Sequence, residues 1–209
     1  MTQYYHDLVT QKSWQLLQDL KQKYKFVLIG GWAVFLYTKA LKSKDIDFVL
    51  DYPELEKLRE AFLVTKNERL KKYEIKTEGI DIDIYLPFYS ELGLPAEKVS
   101  EHTLFLEGFK VPEVEILAIL KAKALQERKG SLKGKKDLID LVGLFGLDVF
   151  NFEKLTEYAE KYQTTESLAA LAQEVRQASG IEELGLNVHQ MARLKKKILS
   201  QLLFKQTTG

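Results

Sequence analysis

The sequence predicts an α+β protein: a mixed sheet flanked by helices up to about residue 112, followed by an all-helical part over residues 113–209. Three observations carry this. Short apolar runs bounded by glycine, proline or aspartate recur through the first half, at lengths that suit strands. Two of these runs carry paired aspartates, Asp45-Ile46-Asp47 and Asp81-Ile82-Asp83. Beyond Pro112 the pattern becomes long helical segments, punctuated by Gly130, Gly134 and Gly146.

In chain order, residues 2–23 read as a helix, with Leu8, Trp14, Leu16, Leu17 and Leu20 giving an apolar side among Gln and Lys. Phe26 to Ile29 is a short buried strand, broken by Gly30-Gly31, and Trp32 to Thr38 is a helix. Ile46 to Leu50 is the second strand. Asp51-Tyr52-Pro53 then stops the strand and starts a helix, with Pro53 in its first turn, and Leu55 to Val64 continues it. Tyr73 to Thr77 and Ile80 to Leu86 are strands, and the second alternates Ile80, Ile82 and Ile84 with Asp81, Asp83 and Tyr85. Thr103 to Leu106 and Phe109 to Val111 form a hairpin around Glu107-Gly108. Helices follow over 113–128, 135–145, 152–162, 165–178 and 187–204, so the domains are predicted as 1–112 and 113–209.

With 209 residues there is chain enough for one large domain or two modest ones. The formal net charge of +1 gives no global field to attract nucleic acid, so a basic footprint would have to be local. No apolar run approaches membrane-spanning length. No cysteine is present, which excludes disulfides and thiolate metal sites. The Tyr4-Tyr5-His6-Asp7 start does not read as a signal peptide, and a cytoplasmic location is the default expectation.

The carboxylates carry the chemistry. Residues i and i+2 of a strand share a face, so Asp45 and Asp47 project together while Ile46 and Phe48 point the other way. Two ionised carboxylates that close repel unless a cation sits between them, and oxygen-only ligation suits Mg²⁺ or Mn²⁺. Taken alone, such a pair is more often an exposed strand edge. If the second acidic strand lies beside the first, Asp81 or Asp83 supplies a third carboxylate, with Asp83 favoured because it lies deeper in the apolar strand. Three carboxylates can hold two metals for in-line attack at phosphorus. Gly30-Gly31 lets backbone N–H groups approach a phosphate at a helix N-terminus, or is simply a tight turn.

Lys121, Lys123, Arg128, Lys129, Lys133, Lys135 and Lys136 stand close together with only Glu127 among them, and Lys121 and Arg128 share a helix face. This is either a phosphate-binding surface or a solvated helix face. Arg193 with Lys195, Lys196 and Lys197 reads as an ordinary basic helix face. Trp32, Phe35 and Tyr37 read as core. His6, His102 and His189 are scattered and make no zinc motif, and the Gly-x-x-x-x-Gly-Lys-Ser/Thr loop of P-loop NTPases is missing.

Gly30-Gly31 followed by Asp45-Ile46-Asp47 resembles the signature of the nucleotidyltransferase superfamily related to DNA polymerase beta, and more narrowly of the AbiEii-type toxin nucleotidyltransferases. Val111 to Leu117 is similar to that branch's lead-in to its motif helix. Lys121-Ala122-Lys123-Ala124-Leu125 with Arg128 looks like its Lys-x-x-Ala-Leu-x-x-Arg segment, and Lys136-Asp137-Leu138-Ile139-Asp140-Leu141 like its Arg-Asp-x-x-Asp-Leu segment. The resemblance covers roughly residues 25–145. It departs at Leu41 and Lys136, where arginine is usual, and at Ser43, which replaces threonine but keeps a hydroxyl.

The resemblance implies a nucleotidyltransferase fold and transfer of a nucleotidyl group from an NTP to a hydroxyl acceptor, with Mg²⁺ or Mn²⁺. Asp45, Asp47 and Asp83 would hold metal, and Gly30, Gly31 and Ser43 would contact phosphate. Lys121 would neutralise charge on the triphosphate, and Asp137 and Asp140 would orient Lys121 or the acceptor. An RNA acceptor such as tRNA and a cognate antitoxin are implied partners. Two rivals stand beside this: a fold that has lost turnover and serves as a binding module, and a carboxylate-metal nuclease.

Overall fold

Apolar spacing and turn chemistry generate two compact units, Met1–Glu113 and Val114–Gly209. The computed structural model describes residues 2–77, 79–178 and 180–203. The α+β class is observed, with a mixed sheet in the first unit and helices throughout the second.

The first unit opens with α1 (Thr2–Lys23), β1 (Val27–Ile29), α2 (Gly30–Thr38) and β2 (Ile46–Val49). It continues through α3 (Tyr52–Ala61), β3 (Val64–Asn67), β4 (Lys72–Lys76) and β5 (Asp81–Tyr85) to α4 (Ala96–Glu101) and the hairpin β6 (Thr103–Leu106) and β7 (Phe109–Pro112). The main sheet runs β1-β2-β5-β4-β3. β2 and β5 are parallel; the other neighbours are antiparallel. Strand alternation makes the sheet two-faced. Ile46, Phe48, Ile75, Ile82 and Ile84 are buried, while Asp47, Asp83 and Glu74 alternate with them and remain partly exposed.

Two elements differ from the sequence expectation in this unit. The helix expected to run to Val64 ends at Ala61, because Phe62 turns to extended backbone (φ −136°, ψ 149°) and the β-branched Val64 and Thr65 pair with Ile75 and Glu74 of β4. The short helix α4, unforeseen in the sequence, begins directly after Pro95, whose fixed φ suits a helix entry. The core behind α2 is aromatic. Trp32 is fully buried, donates its indole N–H to Ser13 Oγ at 2.9 Å and packs on Trp14 at 4.9 Å between ring centroids.

The second unit comprises α5 (Val114–Glu127), α6 (Leu132–Phe145), α7 (Phe152–Lys161), α8 (Thr165–Gln177), a 3₁₀ turn at Glu182–Leu184, and α9 (Val188–Leu203). The expected end of the last helix at Phe204 lies outside the described residues. α5 packs against α6, α7 and α8, which explains why its sequence is apolar on nearly every side. Gly134, expected to separate helices, lies within the first turn of α6. A Cβ there would come within 2.4 Å of the Arg128 carbonyl oxygen, and the Gly134 N–H donates to the capping Ser131 Oγ at 3.0 Å. Asn151 caps α7 by accepting from the N–H groups of Glu153 and Lys154.

Candidate functional site

The strand register brings the acids together in the first unit. Asp47 on β2 lies beside Asp83 on the parallel strand β5, and Glu74 on β4 lies on the other side of Asp83. Cross-strand partners share a sheet face, so the three form a row across three strands. Asp45 immediately precedes β2 and is half-buried. Asp81 stands opposite Lys76 and pairs with it at 3.1 Å, nearer the sheet's margin.

Gly30 adjoins Asp47. Ile29 pairs with Asp47 across β1 and β2, and Gly30 adopts φ +66°, the left-handed region that glycine enters without steric cost. A Cβ on Gly30 would meet Asp47 Oδ2 at 2.1 Å, so the carboxylate lies against the glycine backbone where a side chain would otherwise be. Gly30 and Gly31 open α2, whose N-terminus receives no capping hydrogen bond from the Ile29 side chain. Ser43 is buried in the segment leading to Asp45.

A lysine unforeseen in the sequence completes the row. Lys72 Nζ donates to Asp83 Oδ2 at 2.6 Å and pairs with Glu74 Oε1 at 3.0 Å, and only 9 % of Lys72 is exposed. Burial works to lower the Lys72 pKa, but its bonds to Asp83 and Glu74 outweigh that and hold it above the ordinary lysine value. The Lys72 bond lowers the pKa of Glu74 in turn, against the smaller opposing effect of burial. The other Asp83 oxygen, Oδ1, is buried with no hydrogen-bond partner. The expected strand began at Tyr73 and so omitted Lys72. The alternation of Lys72, Glu74 and Lys76 with Tyr73 and Ile75 is the sequence signal for both residues.

The orphaned Asp83 oxygen and the glycine cradle under Asp47 fit a divalent cation between these two acids. Among the described residues, no three Asp, Glu or His side chains converge as a group able to hold a metal ion.

The other expected site residues lie in the second unit. Lys121 on α5 reaches Asp137 Oδ1 at 3.0 Å and Asp140 Oδ2 at 2.7 Å, both on α6, and Arg128 Nε approaches Asp137 Oδ2 at 3.4 Å. The 2.7 Å contact to Asp140 is an ion pair whose angle falls outside hydrogen-bond geometry. Burial depresses the Lys121 pKa, but the charges of Asp140 and Asp137 more than reverse this, leaving it raised. Arg128 lies just past the end of α5 rather than on its face, yet it and Lys121 both meet Asp137. Elsewhere in the basic segment Lys123 pairs with Glu127 and Lys129 with Glu174. On α9, Lys195 Nζ donates to the carbonyls of Arg176 and Ala178 at the end of α8.

A cavity of about 490 Å³ in the first unit is bounded by Lys21, Lys25, Phe26, Val49, Phe105 and Lys110. It lies at the Val27–Val49 end of the β1–β2 pair, whereas Ile29 and Asp47 form the other end, so it is separate from the acid row.

A scan against protein-family models and a search of curated proteins returned no match. Solved structures do match. A candidate nucleotidyltransferase of Helicobacter pylori aligns at 15% identity and TM-score 0.50, covering 93% of this chain and 95% of its own. An antigenic nucleotidyltransferase-like protein of Paracoccidioides brasiliensis aligns at 17% identity and TM-score 0.49, over 87% of this chain and 94% of its own. The first likeness shows a nucleotidyltransferase-like fold, and the second, at a lower score, adds no argument.

Proposed function

On that fold, we propose that the chain is a metal-dependent nucleotidyltransferase that moves a nucleotidyl group from an NTP to a hydroxyl acceptor. The observation that carries the reading is the Asp47 carboxylate lying on Gly30 with Asp83 beside it in register. Backbone N–H groups at Gly30 and Gly31 and the Ser43 hydroxyl bind phosphate oxygens. Asp47 and Asp83 would hold the cation, Mg²⁺ or Mn²⁺, and Asp45 is the further ligand that the family resemblance implies. When bound, that ion would screen the triphosphate and acidify the attacking hydroxyl. Asp83 completes the site and helps to deprotonate the acceptor hydroxyl, whose proton passes to solvent water. The acceptor oxygen bonds to the α-phosphorus as the bond to the bridging oxygen breaks, and pyrophosphate leaves. The resemblance to AbiEii-type toxins supports an RNA acceptor such as tRNA, a cognate antitoxin, and charge neutralisation at the triphosphate by Lys121, with Asp137 and Asp140 positioning it.

A second reading, a nucleotidyltransferase fold that binds without turnover, draws support from the Lys72–Asp83 ion pair. Incubation with each α-³²P-labelled NTP, Mg²⁺ and total RNA separates the two. Label should pass to RNA with pyrophosphate release, and Asp47→Asn should abolish it. No transfer from any NTP to RNA, protein or small-molecule acceptors overturns the enzymatic reading and leaves the binding module.

A further inference from the structure

We propose that the cavity at the Val27–Val49 end of the sheet binds a small aromatic acid. This second site goes beyond the nucleotidyltransferase reading and does not depend on it.

Three stretches of the first unit form the walls. Lys21 near the end of α1 and the Tyr24-Lys25-Phe26 link supply one, and the β6–β7 hairpin supplies another. Val49, Leu50 and Asp51, where β2 gives way to α3, supply the third. The volume of about 490 Å³ falls within the roughly 300–1,000 Å³ usual for small-molecule sites.

The apolar part of these walls is aromatic and aliphatic. Val27, Val49, Leu50 and Phe109 are buried, and Phe26 stacks on Phe48 at 4.7 Å between ring centroids. Phe105 lines the same cavity, yet 76 % of it is exposed. A phenyl ring left open on a cavity wall is stabilised when an apolar body covers it, and a flat one covers it best.

Lysines supply the charge. Lys21, Lys25 and Lys110 line the cavity, against one acid, Asp51. Lys21 is engaged: its Nζ donates to the Glu107 carbonyl at 3.4 Å and lies 4.3 Å from the centre of the Phe109 ring. Lys25 and Lys110 form no ion pair among the described residues. Glu54, whose carboxylate the Lys25 charge and backbone N–H both reach, is already bonded to Lys57 Nζ at 2.6 Å. Strand register sets Lys110 opposite Phe105, and cross-strand partners share a face, so a cation stands beside the exposed ring. A ring carrying an acid group matches that pairing, with the ring on Phe105 and the acid group bonded to Lys110 and Lys25. Single-stranded nucleic acid also combines rings with phosphates, but it needs a basic track along a surface. These lysines surround an apolar cavity, which favours the small acid.

The test uses the full chain and two fluorescent probes, anilinonaphthalenesulfonate and its uncharged counterpart N-phenylnaphthylamine. The sulfonate should bind saturably at one equivalent, and about tenfold more tightly than the neutral probe. Lys25→Gln combined with Lys110→Gln should lose that preference while still binding the neutral probe. Phe105→Ala, at an exposed position, should weaken both. Asp47→Asn should leave sulfonate binding unchanged, and circular dichroism checks the folding of every variant. No saturable binding, equal affinity for the two probes, an undiminished preference in the folded double variant, or an unaffected Phe105→Ala overturns the proposal. Loss of binding in Asp47→Asn overturns it too, by putting the probe at the acid row, as does displacement by a single-stranded oligonucleotide, which would make the patch a nucleic-acid surface. Nucleotidyl transfer is read separately by label transfer, so either reading can fail while the other stands.

Discussion

Each unit contains a lysine held between two carboxylates, and the two clusters differ in what stands beside them. In the helical unit Lys121 and Arg128 face Asp137 and Asp140, and Lys121 is as deeply buried as Lys72. On the sheet, Lys72 faces Asp83 and Glu74, with Asp47 next to Asp83 in register and seated on Gly30; buried carboxylate oxygens without a hydrogen-bond partner occur in both clusters, Asp83 Oδ1 here and Asp137 Oδ2 and Asp140 Oδ2 there. One cluster ties two helices together; the other has the Gly30 cradle of Asp47 beside it, the feature suited to an incoming cation. Similar pairings thus suit different purposes, and the difference lies in what stands beside them.

The comparison is most exposed at Lys121. If the helical cluster is chiefly a brace, Lys121→Met leaves two buried aspartates facing each other and should cost about 3–5 kcal/mol, the usual penalty for removing one partner of a buried ion pair. Denaturant unfolding followed by circular dichroism measures this. A variant that keeps wild-type stability and loses nucleotidyl transfer would move Lys121 to the reaction, the role that the family resemblance implies.

Gly30 tests the other side. Gly30→Ala places a Cβ 2.1 Å from Asp47 Oδ2 and strains a residue at φ +66°. Displacing the carboxylate by about 1 Å should lower nucleotidyl transfer about 100-fold. Initial rates of pyrophosphate release give the number. Unchanged transfer by a folded variant would remove Asp47 from the site.

The smallest effects concern pH. The Lys121 pKa is raised above 10.5, so its contribution to stability is complete below that value and disappears as pH climbs through the raised one. The Glu74 pKa is lowered below 4.5, so its contribution is complete above that value and disappears as pH falls through the lowered one. Stability measured against pH should show an alkaline decline that Lys121→Met lacks and an acidic decline that Glu74→Gln reduces. Identical profiles for wild type and both variants would show that neither pairing contributes.

Much of the fold was legible in local pattern. Alternation of Ile80, Ile82 and Ile84 with acids marks a strand buried on one side, and those isoleucines are buried. The breaker-free apolar run after Gly31 marks a buried helix. Where local signals conflicted, reading failed. Val64 and Thr65 continue a helical-looking segment yet belong to the sheet edge, because pairing with β4 outweighs weak helix preference.

The sequence by itself determined the α+β class, the shared strand face of Asp81 and Asp83, and glycine at the end of β1, since each depends only on periodicity or on a missing Cβ. Tertiary structure alone decided that β5 lies parallel to β2 with Asp83 beside Asp47, that Glu74 extends the row, and that Lys72 closes over it. It also decided that Lys121 and Arg128 both meet Asp137. Register and ion pairing join residues far apart in the chain, through hydrogen-bond ladders and burial that no local window contains. Spacing along the chain can say which acids share a strand face, but only packing determines which cation they meet.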